Sequence, residues 1–285
     1  MSKTILVVGG TGMLGEPIVR RLSKEGYQAR VFTHLPEKAR AKFGSEYEIV
    51  QGNVEDLPSL ERAMQSCQGV HINLYGGLDP DLEQRGAHNV AQAAAKAGLQ
   101  RITLISGASV RKENCWFEGT RAKFEAEEAV RASGVPYTIF RAASFMESLP
   151  QYVRGKQASI IGKQPLPRAW VAAEDYARMA AKAYATSQAA NKTFYILGPQ
   201  AMPLHEALQT YCRIARPQVK VGAMPLWMAS LIATLFGVKE LADVLPYIRY
   251  FEKVGEDADP SEANALLGSP AITLEQWSRL QSPKN

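Results

Sequence analysis

Residues 4–15 read Thr-Ile-Leu-Val-Val-Gly-Gly-Thr-Gly-Met-Leu-Gly, and this stretch decides the fold. The apolar run before the first glycine is short and rich in branched side chains, as in a buried parallel strand. Gly9 and Gly12 allow a tight turn that approaches a pyrophosphate, and Gly15 lets the following helix pack close to the strand. The N–H groups and the dipole at the start of that helix attract phosphate charge. The stretch therefore predicts a dinucleotide-binding site.

Strands and helices alternate after this unit through about the first two-thirds of the chain. The predicted strands cover 28–32, 48–52, 69–74, 101–106 and 136–141, and the predicted helices cover 36–43, 57–64, 82–97 and 120–132. This alternation predicts an α/β fold, a doubly wound parallel sheet of the Rossmann type. We expect a dinucleotide-binding domain over residues 1–150. A mixed region over residues 151–285 is expected to complete the fold and to form a small C-terminal substrate-binding annex.

Composition excludes several classes of function. The 285-residue chain has a formal net charge of +5, but its basic residues are scattered. Because nucleic-acid surfaces concentrate basic residues, we expect no nucleic-acid partner. The three cysteines form no C-x-x-C pair and the four histidines lack metal-ligand spacing, so we expect free thiols and no metal. The first residues run into a strand without a signal peptide, which predicts a cytoplasmic protein.

Residues 221–238 form a long apolar segment that contains no charged side chain. A membrane-spanning helix needs about 20 apolar residues. Pro225 and Gly237 disfavour helix within this segment, so the stretch that could form a continuous helix is shorter than that. We therefore expect a buried helix or a lid over the substrate pocket. The alternative is a weak contact with a membrane surface or with another protein.

Four later segments follow the glycine stretch in a specific order. They are GNV at 52–54, GAHNV at 86–90, ISGAS at 105–109 with Lys123 after it, and YTIFR at 137–141. Together with the glycine stretch, they resemble the short-chain dehydrogenase/reductase superfamily over roughly residues 3–200. The later segments are similar to its atypical branch, which includes NmrA-like, quinone-reductase-like and isoflavone-reductase-like proteins. The resemblance implies a Rossmann-type fold that binds NAD(P).

The residues at the end of the second predicted strand indicate which cofactor the site prefers. NAD-preferring sites carry a carboxylate there for the ribose 2′-hydroxyl, whereas this chain has Thr33, His34 and Lys38. Because these side chains can bond a 2′-phosphate, we expect NADP(H) rather than NAD(H). The alternative is that His34 and Lys38 are merely exposed at a helix start. The resemblance implies these further cofactor contacts: Gly9, Thr11, Gly12, Met13, Leu14, Gly15, Asn53, Val54, Leu74, Tyr75, Gly76, Ser106, Lys123 and Phe145.

Catalysis depends on Lys123. The superfamily's usual motif is Tyr-x-x-x-Lys, but Gly119 stands where the tyrosine is expected. The isoflavone-reductase-like enzymes also lack that tyrosine, and in them the lysine is the proposed acid or base and bonds the nicotinamide ribose. The resemblance implies the same role for Lys123, with Ser106 polarising a substrate carbonyl or positioning the lysine. The alternative is that Lys123 only anchors the ribose.

Four apolar side chains, Trp116, Phe117, Phe145 and Met146, are the expected substrate contacts, although core packing also explains the last two. They favour a bulky, mostly apolar small molecule. We expect hydride transfer from NADPH to a small carbonyl, quinone or conjugated alkene. The alternative is a non-catalytic NAD(P)-binding regulator of the NmrA-like kind, or an accessory or assembly subunit. A hydrolase has no support because no Gly-x-Ser-x-Gly elbow occurs.

Overall fold

The structure is a computed structural model that describes residues 3–77 and 79–282. The chain forms two compact units. The first unit contains the residues up to 142 together with 173–196 and 259–268. The second contains 143–172, 197–258 and the residues from 269 onward. Neither unit is therefore one continuous stretch of sequence.

The described residues contain strands and helices in the following bounds. The strands are β1 (Lys3–Val8), β2 (Tyr27–Thr33), β3 (Glu48–Gln51), β4 (Cys67–Ile72), β5 (Arg101–Gly107), β6 (Tyr137–Ala142), β7 (Val153–Arg154), β8 (Gln157–Ile161), β9 (Arg168–Ala169), β10 (Lys192–Ile196), β11 (Ala201–Met202) and β12 (Lys220–Met224). The α-helices are α1 (Gly15–Lys24), α2 (Pro36–Phe43), α3 (Leu57–Ala63), α4 (Pro80–Lys96), α5 (Glu118–Ala132), α6 (Ala173–Ala185), α7 (Leu204–Ala215), α8 (Leu226–Phe236), α9 (Lys239–Phe251), α10 (Ser261–Leu267) and α11 (Leu274–Leu280). Short 3-10 helices cover Lys112–Asn114, Met146–Tyr152 and Ser187–Ala189.

The first unit is built around a seven-stranded sheet in the order β10-β6-β5-β4-β1-β2-β3. All six strand pairings are parallel, which confirms the predicted doubly wound Rossmann-type fold. The strand order reverses at β1, whose neighbours are β2 and β4. Ligands of such sheets bind outside the carboxyl ends of the strands at this reversal. Val8 is the last residue of β1 and pairs with Phe32 of β2 and Ile72 of β4.

Element boundaries differ from the predictions by a few residues at most. The helix predicted at 36–43 is α2 without change, whereas α4 and α5 each begin two residues before the predicted starts. Pro80 begins α4 because its fixed φ and missing N–H suit the first helical position. The strand predicted to reach residue 74 ends at Ile72. The chain turns away there, and the Leu74 side chain instead packs close to Gly86 of α4.

The second unit has its own sheet and core. β12, β8 and β7 form a three-stranded sheet, and β9 pairs with β11. Its buried apolar cluster includes Met146, Leu149, Ala158, Ile160, Trp170, Leu204, Leu208, Tyr211, Leu274 and Trp277. Trp277 Nε1 also donates to the carboxylate of Glu147 at 2.9 Å, so this large side chain has a polar partner within the same unit.

The apolar segment at residues 221–238 is not a buried helix, so that part of the expectation is wrong, and a lid over the substrate pocket stays a prediction. It begins within β12 and continues as α8, in which only Ala229 and Ala233 are buried. The large side chains of α8 are exposed, with Trp227 at 68% and Phe236 at 76%. Apolar residues lie all around this helix, so the sequence pattern cannot tell which face is buried. The two small alanines make the close contact within the unit.

No helix in the described part of the chain is both long enough and apolar enough to span a membrane.

Candidate cofactor and active site

The turn after β1 requires glycine at two positions. Gly9 has a φ of +78°, and a Cβ on it would lie 1.9 Å from the backbone oxygen of Asn73. A Cβ on Gly15 would lie 2.1 Å from the Gly9 oxygen. The turn is closed by a hydrogen bond from Gly12 N to Gly9 O at 3.1 Å. The backbone therefore turns tightly at Gly9, and the first residue of α1 packs against the turn, as the sequence predicts.

The start of α1 faces this turn without a side-chain cap. Its N-cap is Leu14, which forms no side-chain capping bond. The first N–H groups of any α-helix lack a carbonyl one turn earlier, and they carry the positive end of the helix dipole. Glu16 N donates to Gly12 O at 3.1 Å and residue 17 is a proline, so it is the positive end of the helix dipole beside the glycine turn that suits the charge of a pyrophosphate. The residues present thus fit a dinucleotide cofactor.

Asn73 stabilises the turn from the neighbouring strand, and sequence reasoning did not single it out. Its backbone N donates to Val8 O at 3.0 Å, and its Nδ2 donates to Gly9 O at 3.4 Å. Asn73 follows β4 directly, so it lies at the reversal of strand order. The signal in the sequence is an amide residue at the end of an apolar strand in a ligand-binding sheet.

The three residues predicted to bond a 2′-phosphate have different surroundings. Thr33 is buried and its Oγ1 accepts a hydrogen bond from Leu35 N at 3.1 Å, whereas His34 and Lys38 are exposed. A residue that the prediction omitted reaches the glycine stretch. The Nζ of Lys42, on α2, donates to Thr11 O at 3.3 Å and to Glu16 Oε2 at 2.6 Å.

The sequence does contain a signal for Lys42. It lies four residues after Lys38 on α2, so the two lysines share one helix face. Burial acts to raise the pKa of Glu16, but hydrogen bonds and charges from Lys42 and Arg20 outweigh it and hold that pKa below its usual value. The carboxylate and the ammonium therefore form an ion pair beside the glycine stretch.

Two of the predicted adenine-side segments meet at α4. A Cβ on Gly86 would lie 2.7 Å from Leu74 Cδ1 and 3.1 Å from Val54 Cγ2. Asn89 Nδ2 donates to Val54 O at 2.9 Å, which explains why Gly86 and Asn89 occur together in one short segment. The absence of a side chain at Gly86 lets α4 approach the ends of β3 and β4 closely.

The polar and aromatic side chains of the same loops face outward. Asn53 is exposed and its Oδ1 accepts from Glu55 N at 3.0 Å. Tyr75 is also exposed. Gly76 forms a turn in which a Cβ would lie 2.2 Å from Asp79 O. Met13 in the glycine stretch is exposed as well, so these loops present side chains to solvent rather than to the core.

Lys123 is paired with a carboxylate that sequence reasoning missed. Its Nζ lies 2.5 Å from Glu83 Oε1 of α4. The Glu83 side chain is 7% exposed and that of Lys123 is 29% exposed. A carboxylate so deeply buried requires a cation or hydrogen bonds, and Lys123 supplies both. The lysine stem also passes the end of β5, where a Cβ on Gly107 would lie 4.0 Å from Lys123 Cδ.

Ser106 is directed at a different carboxylate. Its Oγ donates to Glu127 Oε1 at 2.6 Å, and Glu127 is fully buried. Arg141 binds both oxygens of Glu127, at 2.7 and 2.9 Å, and Arg131 binds one at 2.8 Å. Burial acts to lower the pKa of Arg141, but hydrogen bonds and charge from Glu127 outweigh it and raise that pKa. The hydroxyl hydrogen of Ser106 is therefore donated to a buried carboxylate of the protein itself.

The predicted substrate residues belong to both units. Trp116 is exposed and makes an edge contact with Phe117, with ring centroids 6.4 Å apart, just before α5. In the second unit, Phe145 pairs with Val171 through a β-bridge. Met146 is 1% exposed and lies in the apolar cluster of that unit. Core packing therefore accounts for Met146. Among the described residues, no group of three or more His, Cys, Asp or Glu side chains could hold a metal ion.

A glycine turn and an uncapped helix start at the strand-order reversal define a Rossmann-type dinucleotide-binding protein. Residues 9–186 match the NAD(P)H-binding family. The chain belongs to this family, in agreement with the resemblance to the atypical branch of the short-chain dehydrogenase/reductase superfamily. The family is an NAD(P)-binding one of the reductase type.

Three known proteins illustrate the similarity. The (4-alkanoyl-5-oxo-2,5-dihydrofuran-3-yl)methyl phosphate reductase of Streptomyces griseus subsp. griseus is 30% identical over 278 residues, which is 96% of each chain. The photosystem II assembly factor Ycf39 of Trieres chinensis is 24% identical over 247 residues, 83% of this chain and 77% of that one. An NADPH-dependent quinone oxidoreductase from Escherichia coli, solved with NADPH, has a TM-score of 0.75 at 23% identity. That match covers 96% of this chain and 98% of the other, and it shows the shared fold.

Proposed function

We propose that this protein is an NADPH-dependent reductase of a small, mostly apolar carbonyl, quinone or conjugated alkene, with Lys123 as the proton donor. The observation that carries the proposal is the Lys123–Glu83 ion pair. It keeps a lysine ammonium beside the end of β5, at the edge of the sheet where ligands of this fold bind.

The cofactor is proposed to bind along the carboxyl ends of β1, β2 and β4. The pyrophosphate would lie against the glycine stretch (Gly9, Thr11, Gly12, Met13, Leu14 and Gly15), and Asn53, Val54, Leu74, Tyr75 and Gly76 would line the adenosine and ribose side. Bound nicotinamide supplies the hydride. Lys123 would also bond the nicotinamide ribose, and Phe145 remains a predicted contact.

The preference for the 2′-phosphate form rests on cations. Thr33 ends β2 and His34 follows it, where NAD-preferring sites carry a carboxylate; Lys38 lies on α2, and Lys42 adds an ammonium within 3.3 Å of Thr11 O. An NADH ribose gains nothing from these cations, whereas a 2′-phosphate gains charge-assisted hydrogen bonds. The cations support NADPH as the working cofactor.

The proposed chemistry of Lys123 follows from the number of N–H groups that its ammonium can donate. An ammonium has three N–H donors, and Glu83 accepts from one of them. The other donors are available to a ribose hydroxyl and to a substrate oxygen that gains negative charge during reduction. Because its hydroxyl hydrogen goes to Glu127, we assign Ser106 a positioning role. It anchors the end of β5 one residue before Gly107, the residue next to the lysine stem.

A second candidate is a non-catalytic NAD(P)-binding regulator or assembly factor. Gly119 occupies the place of the usual tyrosine, and a lysine held by a buried carboxylate also suits a purely structural role. A relative that is 24% identical is named as an assembly factor. In this case the protein binds NADPH and reduces none of the compounds tested.

The test is NADPH oxidation with a quinone, a conjugated enone and an aromatic aldehyde, using wild type and two variants. Lys123→Ala is expected to lower kcat by about 100-fold, since a general acid contributes at least that much. NADPH binding should persist. Lys96→Ala is the matched control, because Lys96 forms an exposed ion pair with Glu61 at 2.7 Å and should leave kcat unchanged.

The outcomes separate the two candidates. Wild-type turnover that survives Lys123→Ala contradicts the proposed role of the lysine. Tight NADPH binding by wild type without oxidation of any compound favours the regulator. Glu83→Gln keeps an oxygen acceptor but removes the charge, so a loss of kcat in this variant shows that the ion pair itself is needed.

A further inference from the structure

α8 presents four large apolar side chains to solvent. Trp227, Leu231 and Leu235 are spaced four residues apart and so lie on one side of the helix, whereas Phe236 is exposed on another side at its C-terminal end. Each is between 48% and 76% exposed. We call these four residues the α8 surface. Scattered exposed apolar residues need no explanation, whereas a contiguous group on one helix marks an interaction site.

The inner side of α8 already has its packing partners. Ala229 and Ala233 are buried in a small cluster with Leu245, against which Leu226 and Leu241 also pack. The helix is therefore fixed by contacts within its own unit, and its outward residues contribute nothing to that core. This arrangement leaves the α8 surface available for a partner outside the chain.

The charges around the α8 surface are mostly positive. Residues 221–238 carry no charge, and Lys220 and Lys239 stand at the two ends. Lys163 lines a groove of about 390 Å³ beside Trp227, and Arg249 Nη2 lies 3.4 Å from Ser230 Oγ on the flank of α8. The acidic residues on α9 are Glu240 and Asp243, and Glu252, which directly follows α9, lines the same groove and accepts a hydrogen bond from Lys163 N. The whole chain has a net charge of +5.

We propose that the α8 surface docks onto an anionic lipid bilayer. The helix would lie in the plane of the headgroups, with Trp227, Leu231 and Leu235 inserted, Phe236 at the end of the helix and the flanking lysines at the phosphates. Tryptophan favours the boundary between headgroups and acyl chains, which suits Trp227 at one end of the helix. This inference is independent of the proposed reductase activity.

A second copy of the chain is a poorer occupant for two physical reasons. The four side chains expose only about 500 Å² of apolar area, so pairing two copies would bury about 1,000 Å², the lower limit of stable interfaces. Each copy also carries a net charge of +5, and like charges repel. An anionic bilayer removes the same apolar area from water and attracts the charge.

The experiment is flotation of the full-length protein with two kinds of vesicle, phosphatidylcholine alone and phosphatidylcholine mixed with phosphatidylglycerol. Binding to the mixed vesicles is expected, and it should weaken with added salt. The double variant Leu231→Glu/Leu235→Glu should lose at least tenfold in affinity, because two inserted leucines become charged. Lys163→Gln and Lys239→Gln should each cost about fivefold on mixed vesicles.

Matched controls keep the test specific to α8. Leu280→Glu alters another highly exposed leucine, on α11, and should leave vesicle binding unchanged. Brominated acyl chains should quench tryptophan fluorescence in wild type but much less in Trp227→Phe. NADPH affinity and circular dichroism of each variant report whether it remains folded.

Two results would overturn the proposal. The first is wild type that does not float with the mixed vesicles, or that floats as well after the double glutamate substitution. The second is a wild-type dimer by light scattering that Leu231→Glu/Leu235→Glu dissociates while vesicle binding is absent. The second result would assign the α8 surface to self-association.

Discussion

Lys42 provides the sharpest test of cofactor choice, because the structure rather than the sequence pattern brings it to the glycine stretch. Its ammonium lies 3.3 Å from Thr11 O and 2.6 Å from Glu16 Oε2. Lys42→Met removes the charge and keeps much of the apolar stem. If the ammonium bonds the 2′-phosphate, this variant should bind NADPH more weakly and NADH as before.

The magnitude follows from the exposure and the pairing of the lysine. A hydrogen bond to a charged group contributes about 1.5–3 kcal/mol. Lys42 is 31% exposed and already shares its ammonium with Glu16, so the lower end of that range applies. A loss of about 1.5 kcal/mol is roughly a tenfold rise in the Kd for NADPH. Loss of the partly exposed ion pair should lower the free energy of unfolding by less than about 1 kcal/mol.

Glu16→Gln is the opposing variant. Removing the carboxylate leaves the Lys42 ammonium without its nearest competing anion, so NADPH should bind a few-fold more tightly while NADH does not change. Calorimetric titration of both cofactors, at two salt concentrations, measures these effects. The difference between the cofactors should shrink at high salt, since exposed charges are screened.

The reasoning is refuted if Lys42→Met weakens both cofactors equally. An equal loss would mean that the lysine only supports the glycine turn through Thr11 O. Unchanged binding of both cofactors would remove Lys42 from the site and leave Thr33, His34 and Lys38 to account for any preference. Stronger binding of NADH than of NADPH by wild type would refute the cation argument as a whole.

Three further predictions concern stability. Glu127→Gln removes the buried charge that Arg141 and Arg131 share, although Arg131 keeps Glu128, and should cost about 3 kcal/mol, a fall in Tm of roughly 10 °C by calorimetry, whereas Glu61→Gln, in an ion pair with the exposed Lys96, should change Tm little. Burial raises the pKa of Glu256, so the folded state holds that proton more tightly and stability falls as pH rises above 4.5. Glu256→Gln should remove this fall in thermal melts across that window; an unaltered slope would contradict it. Gly15→Ala should cost about 1–3 kcal/mol and weaken NADPH binding, while Gly222→Ala, with nothing within 4 Å, should not.

The glycine stretch and the alternation of elements were sufficient to predict the first six strands of the large sheet, whereas β10 and residues 173–196 and 259–268 of the first unit lie outside the domain predicted over 1–150. Both signals are local, because a buried strand, a tight turn and a helix start each require particular residues within a few positions. The same locality explains the small errors at element ends. Whether β4 stops at Ile72 depends on Leu74 packing near Gly86, which is twelve residues further along the chain.

The predicted burial of α8 was wrong for a related reason. A helix that is apolar on all sides carries no periodic signal, so only its packing against neighbours shows which side is buried. The alanines at 229 and 233 make those contacts, and the larger residues are left exposed. The buried side of the amphipathic helix α1 was easier to predict, because its buried residues Ile18, Val19 and Leu22 follow the helical repeat.

The sequence alone determined the Rossmann-type fold and the position of the tight glycine turn after β1, since each depends on residue type and spacing, and the roles of the glycine turn and of Lys123 stay predictions. Only the tertiary structure decided the partners of the charged groups. Glu83 with Lys123, Glu127 with Ser106 and Arg141, and Lys42 with Glu16 all join residues from separate elements. Charges pair through space, and separation along the chain carries no information about which element will lie within 3 Å of another.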